Sequence, residues 1–232
     1  MVQSGAGVLM TESASFSATL PPAIVGQTVV LRPPSRDDLL TFFAWRADAS
    51  RPHLLSQSRR IPTYEEFVGE MERQQRQSIM LVVLDKETNR PIGFVQAYTL
   101  NLEAGWCLAT VYTEPDYRQA TQSTEAYICL LDFVFRRYGL RKVYVDVYEF
   151  DLDSMKLLIA GGFVEEGRFH EHAWFDGRYW DVVRLAVYQA GWGEGRKKVG
   201  FLLGVGREAA ALLDEQRGAG GPAGEEPSEL RA

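Results

Sequence analysis

The sequence predicts a mixed α/β domain, with a sheet flanked by helices on both faces. Three observations predict it. Short β-branched runs alternate with helical patterns in the order β-α-α-β-β-β-α-β-α-β-β, which calls for a sheet with crossover helices. Of the 232 residues, 46% are hydrophobic and 24% charged, the composition of a globular chain with a packed core. The longest apolar run, Ile79 to Leu84, falls far short of the roughly 20 residues of a membrane helix, so no membrane partner is expected.

Residues 1–23, rich in Ser, Ala, Gly and Thr, read as a flexible leader. Thr28–Arg32 is the first strand, stopped by Pro33-Pro34. Ser35 fits an N-cap, with Asp37 and Asp38 in the first turn where the helix dipole favours them; the helix carries Leu39, Leu40, Phe42, Phe43 and Trp45. Thr63 and Glu66 have capping-box spacing for a second helix that turns Phe67, Val68 and Met71 inward. Ile79–Leu84 and Ile92–Thr99 flank a hairpin loop, and Gly105–Thr113 is the next strand, ended by Glu114-Pro115. A polar loop leads into a helix carrying Ala126, Leu130, Leu131, Phe133 and Val134, closed by Tyr138-Gly139. Lys142–Tyr148 is a strand and Ser154–Ala160 a short helix ending at Gly161-Gly162. Phe163–Trp174 and Tyr179–Tyr188 form a hairpin around Asp176-Gly177. Residues 24–192 are the expected folded domain. Gly193-Glu-Gly195 reads as a hinge into an extension, 193–232, helical over Arg196–Arg217 and then a Gly/Pro/Glu tail.

A formal charge of −6, from 25 basic and 31 acidic residues, argues against general nucleic-acid binding. The chain start has neither the basic nor the apolar segment of a secretory signal. The two cysteines, Cys107 and Cys129, sit among apolar neighbours, so both are expected as buried free thiols in a reducing cytoplasm. His170-Glu-His172 finds no third and fourth ligand at matching spacing; lining of a substrate cleft is expected there rather than a metal. Trp174, Phe175, Tyr179 and Trp180 fit either packing or a substrate wall. Arg136-Arg137 and Arg141-Lys142 fit a solvated helix end, or a surface that meets an acidic carrier.

Val111–Ala126 runs from strand through polar turn into helix, and a helix N-terminus there offers unpaired N–H groups to a pyrophosphate. Asp151-x-x-Ser154, then Gly162-Phe163-x-Glu165-Glu166-Gly167, then Gly177–Asp181 follow in order. Over about Val25 to Trp192 these segments together resemble the GNAT superfamily of acyl-CoA-dependent N-acyltransferases, especially the branch that acetylates ribosomal-protein N-termini. That family's turn reads P-x-Y-x-G-x-G-x-A-T-E-A. Here Pro115, Tyr117 and Thr124-Glu125-Ala126 match it, Gln119 and Thr121 stand at the glycine positions, and Ser123 replaces a small residue. Asp151 stands where the family has asparagine, and Leu158 where many relatives place a general-acid tyrosine.

The resemblance implies a GNAT-like sheet that splays open near Leu108–Thr113 and Val145–Tyr148, where an exposed N–H can polarise a thioester. It implies direct transfer of a small acyl group, acetyl above all, from a CoA thioester to an amine of a small molecule or a protein N-terminus. No metal and no acyl-enzyme are called for. Donor contacts are expected from Val111, Tyr112 and Thr113, from Arg118, Gln119, Thr121, Gln122, Ser123 and Thr124, and from Asp151 and Ser154. Glu103, ahead of Gly105-Trp106, is the expected base acting through water, and equally fits a solvated edge carboxylate; Glu114 and Asp116 are alternatives. Ser154 fits a donor to the cofactor or leaving thiol, or a simple helix cap. Side chains at Gln119 and Thr121, where glycine leaves backbone bare, open two alternatives. One replaces free CoA by an acyl carrier protein's pantetheine arm or by aminoacyl-tRNA. The other is a non-catalytic GNAT-like binding module. A homodimer is compatible with all of them.

Overall fold

A computed structural model describes residues 24–47, 60, 62–118 and 121–218, with side chains followed to 204 and that of Arg118 left aside. The chain begins with β1 (Ile24–Val25), β2 (Val29–Arg32), α1 (Asp38–Ala47) and α2 (Tyr64–Gln77). Next come β3 (Ile79–Asp85), β4 (Pro91–Asn101), β5 (Trp106–Thr113), a single turn α3 (Pro115–Arg118) and α4 (Thr121–Tyr138). β6 (Lys142–Tyr148), a 3₁₀ segment (Glu149–Met155) and α5 (Lys156–Ala160) follow, then β7 (Val164–Phe175), β8 (Arg178–Tyr188) and α6 (Gln189–Gly218).

All eight strands form one sheet in the order β1-β2-β3-β4-β5-β6-β8-β7. Neighbours are antiparallel except β5 and β6, which run parallel because α4 carries the chain back between them. Strand alternation divides the core. Cys107 and Ala109 of β5 and Val143, Val145 and Val147 of β6 pack with Ala126, Tyr127, Leu130 and Leu131 of α4. Tyr112 of β5 and Val82 of β3 pack on the opposite face with Phe42 and Trp45 of α1 and Phe67 and Met71 of α2. Helices therefore cover both faces of the sheet.

Several local signals translate directly. Thr63 and Glu66 complete a capping box at the start of α2, and both Phe67 and Met71 are buried. Gly139 takes φ 61° just after α4, the left-handed stop that glycine tolerates. Asp176 and Gly177, at φ 49° and 81°, are both left-handed, as a two-residue turn between twisted strands requires.

Other expectations are corrected. The sheet starts before Thr28, since Ile24–Val25 pairs with Val30–Leu31. Ser35 does not cap by accepting: its N–H and hydroxyl both donate to Asp38, whose carboxylate also takes two bonds from Arg32 at 2.7 and 2.8 Å. Ser154 lies in the 3₁₀ segment, and α5 begins only at Lys156. The expected hinge at Gly193-Glu-Gly195 is continuous helix, because α6 runs unbroken from Gln189. Gly195 packs so closely on Gly161 that a Cβ there would stand 1.9 Å from the Gly161 carbonyl oxygen. Trp192, Val199 and Leu203 of α6 are buried in the main core, so core packing continues past Trp192. The leader (1–23) and the last part of the tail (219–232) lie outside the described residues.

Candidate active site

Pairing between β5 and β6 covers only Trp106↔Lys142, Cys107↔Val143 and Leu108↔Tyr144. Beyond Leu108 the strands diverge while β5 stays paired with β4 through Thr113. Alternate peptide groups of Ala109–Thr113 thus face a gap instead of a strand, where the family resemblance implied a splay. A cleft of about 540 Å³ occupies this opening. Its walls come from both faces of the sheet. Val111, Thr113, Ser123, Thr124, Tyr127 and Leu158 line it on the α4 side; Gln74, Gln96, Tyr98, Thr110, Asp146 and Tyr148 line it on the other. The gap therefore joins two half-sites through the sheet.

The α4 side is built by a helix N-terminus. Thr121 opens an 18-residue helix at the wide end of the gap, where unpaired N–H groups and the helix dipole favour an anion. Ser123, Thr124 and Tyr127 share one face of that helix by their spacing and turn it to the cleft. Thr121 and Gln122 do not line it. The Gln122 side chain bonds the Asp85 carboxylate instead. Glu125 is occupied by the β1–β2 turn, accepting from the N–H of Gln27 and from the N–H and hydroxyl of Thr28. Gln119 lies outside the described residues, and Arg118 closes the turn before it.

Of the sequence-derived site residues, Val111, Tyr112, Thr113, Ser123, Thr124, Asp151 and Ser154 meet in the cleft. The Ser154 hydroxyl donates to the Asp151 carbonyl at 2.7 Å, which leaves its oxygen free to accept. Glu103 is not among them. It sits exposed in the turn after β4, at the paired end of β5, because β4 extends to Asn101 and Gly105 (φ 70°) then bends the chain back. Glu114 is held by the Trp45 indole at 3.1 Å and by Arg90. Asp116 is exposed on α3.

Sequence reading passed over most of the second half-site. Asp146 forms a two-pronged pair with Arg184, both bonds 2.7 Å. Gln96 donates to the Ser78 hydroxyl at 2.9 Å, and Ser78 in turn to the Gln74 carbonyl at 2.7 Å. Burial pushes the Tyr98 phenol up, and the nearby Asp146 charge adds to this. Tyr148 is raised by burial as well. The alternation of β6 contained a signal: with Val143, Val145 and Val147 inward, Tyr144, Asp146 and Tyr148 must share the opposite face.

Other candidate groups are engaged elsewhere. Burial raises the Cys107 thiol to about 12 and the Cys129 thiol to about 11, so neither is a thiolate nucleophile at neutral pH. A bulge between Phe169 and Ala173 breaks the regular alternation at His170-Glu-His172. His170 meets Asp181 at 3.1 Å and His172 packs on Phe169. No three His, Cys, Asp or Glu side chains gather as metal ligands among the described residues. Phe175 and Trp180 pack on Phe150 of the 3₁₀ segment, while Trp174 and Tyr179 pack on each other at the surface. No helix among the described residues is long and apolar enough to cross a membrane.

This architecture has known counterparts. The fold matches a spermidine N-acetyltransferase from Vibrio cholerae, solved with CoA and spermine, at TM-score 0.66 and 21% identity over 72% of this chain and 99% of that one. A dodecameric structure of spermidine N-acetyltransferase from the same organism matches at TM-score 0.63 and 22% identity, over 72% and 97% of the two chains. A GCN5-related N-acetyltransferase from Brucella melitensis matches at TM-score 0.63 and 20% identity, over 77% and 84%. No curated protein matches the sequence closely enough to count as a relative. The sequence model of the acetyltransferase (GNAT) domain matches residues 28–164, more than half of the chain. The chain therefore belongs to the GNAT acetyltransferase family.

Proposed function

We propose that the protein transfers an acetyl group from a CoA thioester to an amine by direct attack within the β5–β6 gap. The observation that carries this reading is the gap itself: it opens beside the N-terminus of α4 and connects the two faces of the sheet. The donor's phosphates would lie at the start of α4, and its arm would run back along β5, pairing with the peptide groups that β6 leaves free. The acceptor would approach from the side of Gln96, Tyr98 and Asp146. The amine nitrogen forms the new bond to the thioester carbon, the C–S bond breaks, the ammonium loses its proton to water, and the thiolate is protonated from solvent.

Asp146, rather than the remote Glu103, is the carboxylate that faces the acceptor side of the cleft. That charge is already matched by Arg184, and Gln74, Gln77 and Gln96 around it are neutral amides. Such a wall suits an acceptor with polar, uncharged surroundings better than a polycation.

A carrier-borne pantetheine remains a second reading. Two observations favour it: no Lys or Arg lines the cleft among the described residues, and Thr121 stands where the family has a bare backbone. Calorimetry with acetyl-CoA and acetyl-pantetheine, followed by thiol release with a panel of amines, tests both readings. Amine-dependent release from acetyl-CoA supports the first. Tighter binding of acetyl-pantetheine than of acetyl-CoA supports the second. Binding of neither leaves a non-catalytic module.

A further inference from the structure

We propose that Tyr127 is a donor-binding residue whose hydroxyl donates a hydrogen bond to the thioester carbonyl oxygen at the narrow end of the gap. The inference rests on the acyl-thioester reading above. Tyr127 is fully buried, and its hydroxyl finds no hydrogen-bond partner among the described residues. Buried tyrosines normally satisfy that hydroxyl, and leaving it unpaired lowers stability. Phenylalanine would fill the same space without that penalty. The side chain nevertheless lines the cleft, on the helix face that also presents Ser123 and Thr124.

Tyr127 shares the main core with Cys107 of β5 and lines the same cleft as Tyr98 of β4 and Asp146 of β6. Cys107 faces α4 while Tyr98 and Asp146 line the other half-site, so the Tyr127 side chain reaches from α4 into the opening between the two half-sites. Cys107 is paired with Val143, one position before the β5–β6 ladder ends at Leu108 and Tyr144. Tyr127 is therefore at the apex of the opening, about 9 Å along α4 from Thr121 before its side chain is counted.

The donor's direction follows from the same geometry. Phosphates held at the start of α4 sit beyond Thr113, and an arm extended back along β5 spans about 17 Å by Leu108. Its reactive end then arrives at the apex, beside the Tyr127 hydroxyl. Burial, reinforced by Cys107, Tyr98 and Asp146, holds the phenol protonated far above neutral pH. It therefore gives a hydrogen bond and keeps its proton; a buried tyrosinate would be strongly disfavoured. As the carbonyl oxygen gains charge during attack, that bond strengthens.

Tyr127→Phe tests this, with melting of the ligand-free protein and calorimetry of acetyl-CoA, CoA, acetyl-pantetheine and pantetheine. The ligand-free variant should melt about 2–4 °C higher, because it removes an unpaired buried hydroxyl. Wild type should prefer each acetylated form over its free thiol by about two- to tenfold, and the variant should lose that preference. Turnover should fall about 100-fold. A variant that melts lower, or that keeps the preference, overturns the role of Tyr127 alone. Wild type binding none of the four ligands overturns the acyl-thioester reading and this inference with it.

Discussion

Glu166 ties three strands together through one carboxylate. Lys142 reaches it at 2.7 Å and the Tyr144 hydroxyl at 2.9 Å, both from β6, and the Tyr188 hydroxyl joins from β8. The Lys142 bond above all, then Tyr188, lowers the Glu166 carboxyl from the ordinary 4.5 to about 2. A folded-state pKa below the unfolded one adds stability that is complete above about pH 4.5 and lost as pH falls through about 2. Solvent reaches the group, with 22% of the side chain exposed, so the full shift overstates its value and about 1 kcal/mol is expected. Glu166→Gln should lose that much at pH 7 in urea denaturation, and the gap to wild type should close toward pH 2. An undiminished gap in acid would mean that packing, not charge, is what the substitution removes. Glu103 gives the opposite expectation. Exposed in its turn, it should tolerate Glu103→Gln with turnover within about twofold of wild type. The sequence showed Glu166 within Glu165-Glu166-Gly167 but could not show its partners, which come from other strands. Glu103 was expected as the base from its place ahead of Gly105-Trp106, with a solvated edge carboxylate as the equal alternative; the turn geometry sends it into solvent. Tyr127 was hidden for a related reason. Helical periodicity marks it as a core position, and nothing in a sequence says that a buried hydroxyl lacks a partner.

Elements with their own local chemistry were legible. The capping box at Thr63, the glycine stop at Gly139 and the Asp176-Gly177 turn each depend on residues a few positions apart. Helix α6 was legible over Arg196–Arg217 but not at its start, because Gly195 serves a distant contact. Gly195 packs on Gly161, and Gly161 also meets Val199, whose Cγ2 would lie 2.3 Å from an added Cβ. Read alone, two glycines around one residue suggest a hinge; in the fold Gly195 lets α6 approach the end of α5. Gly195→Ala should destabilise by about 1–3 kcal/mol, since backbone rather than a flexible side chain blocks the methyl group. Truncation after Trp192 should cost more. It removes Val199 and Leu203, at 0% and 5% exposure, and each buried side chain is worth about 1.5–3 kcal/mol. A urea midpoint unchanged by that truncation would restore the domain boundary at Trp192.

At the scale of the whole molecule, one parallel junction in an otherwise antiparallel sheet makes the site. The element order was enough to predict that junction, because α4 must return the chain before β6 can join β5. The residues that close one end of it, Leu108 and Tyr144, leave β5 and β6 to diverge around the cleft. What lines the far side depended on strand register, so Gln96 and Tyr98, and the pairing of Asp146 with Arg184, emerged only in three dimensions. The central claim is that a thioester donor lies in this gap. Hydrogen exchange of the full chain, with and without saturating acetyl-CoA, tests it most directly. The account predicts new protection confined to Ala109–Thr113, the first turns of α4 and Val145–Tyr148. Protection elsewhere, with those segments unchanged, would contradict it.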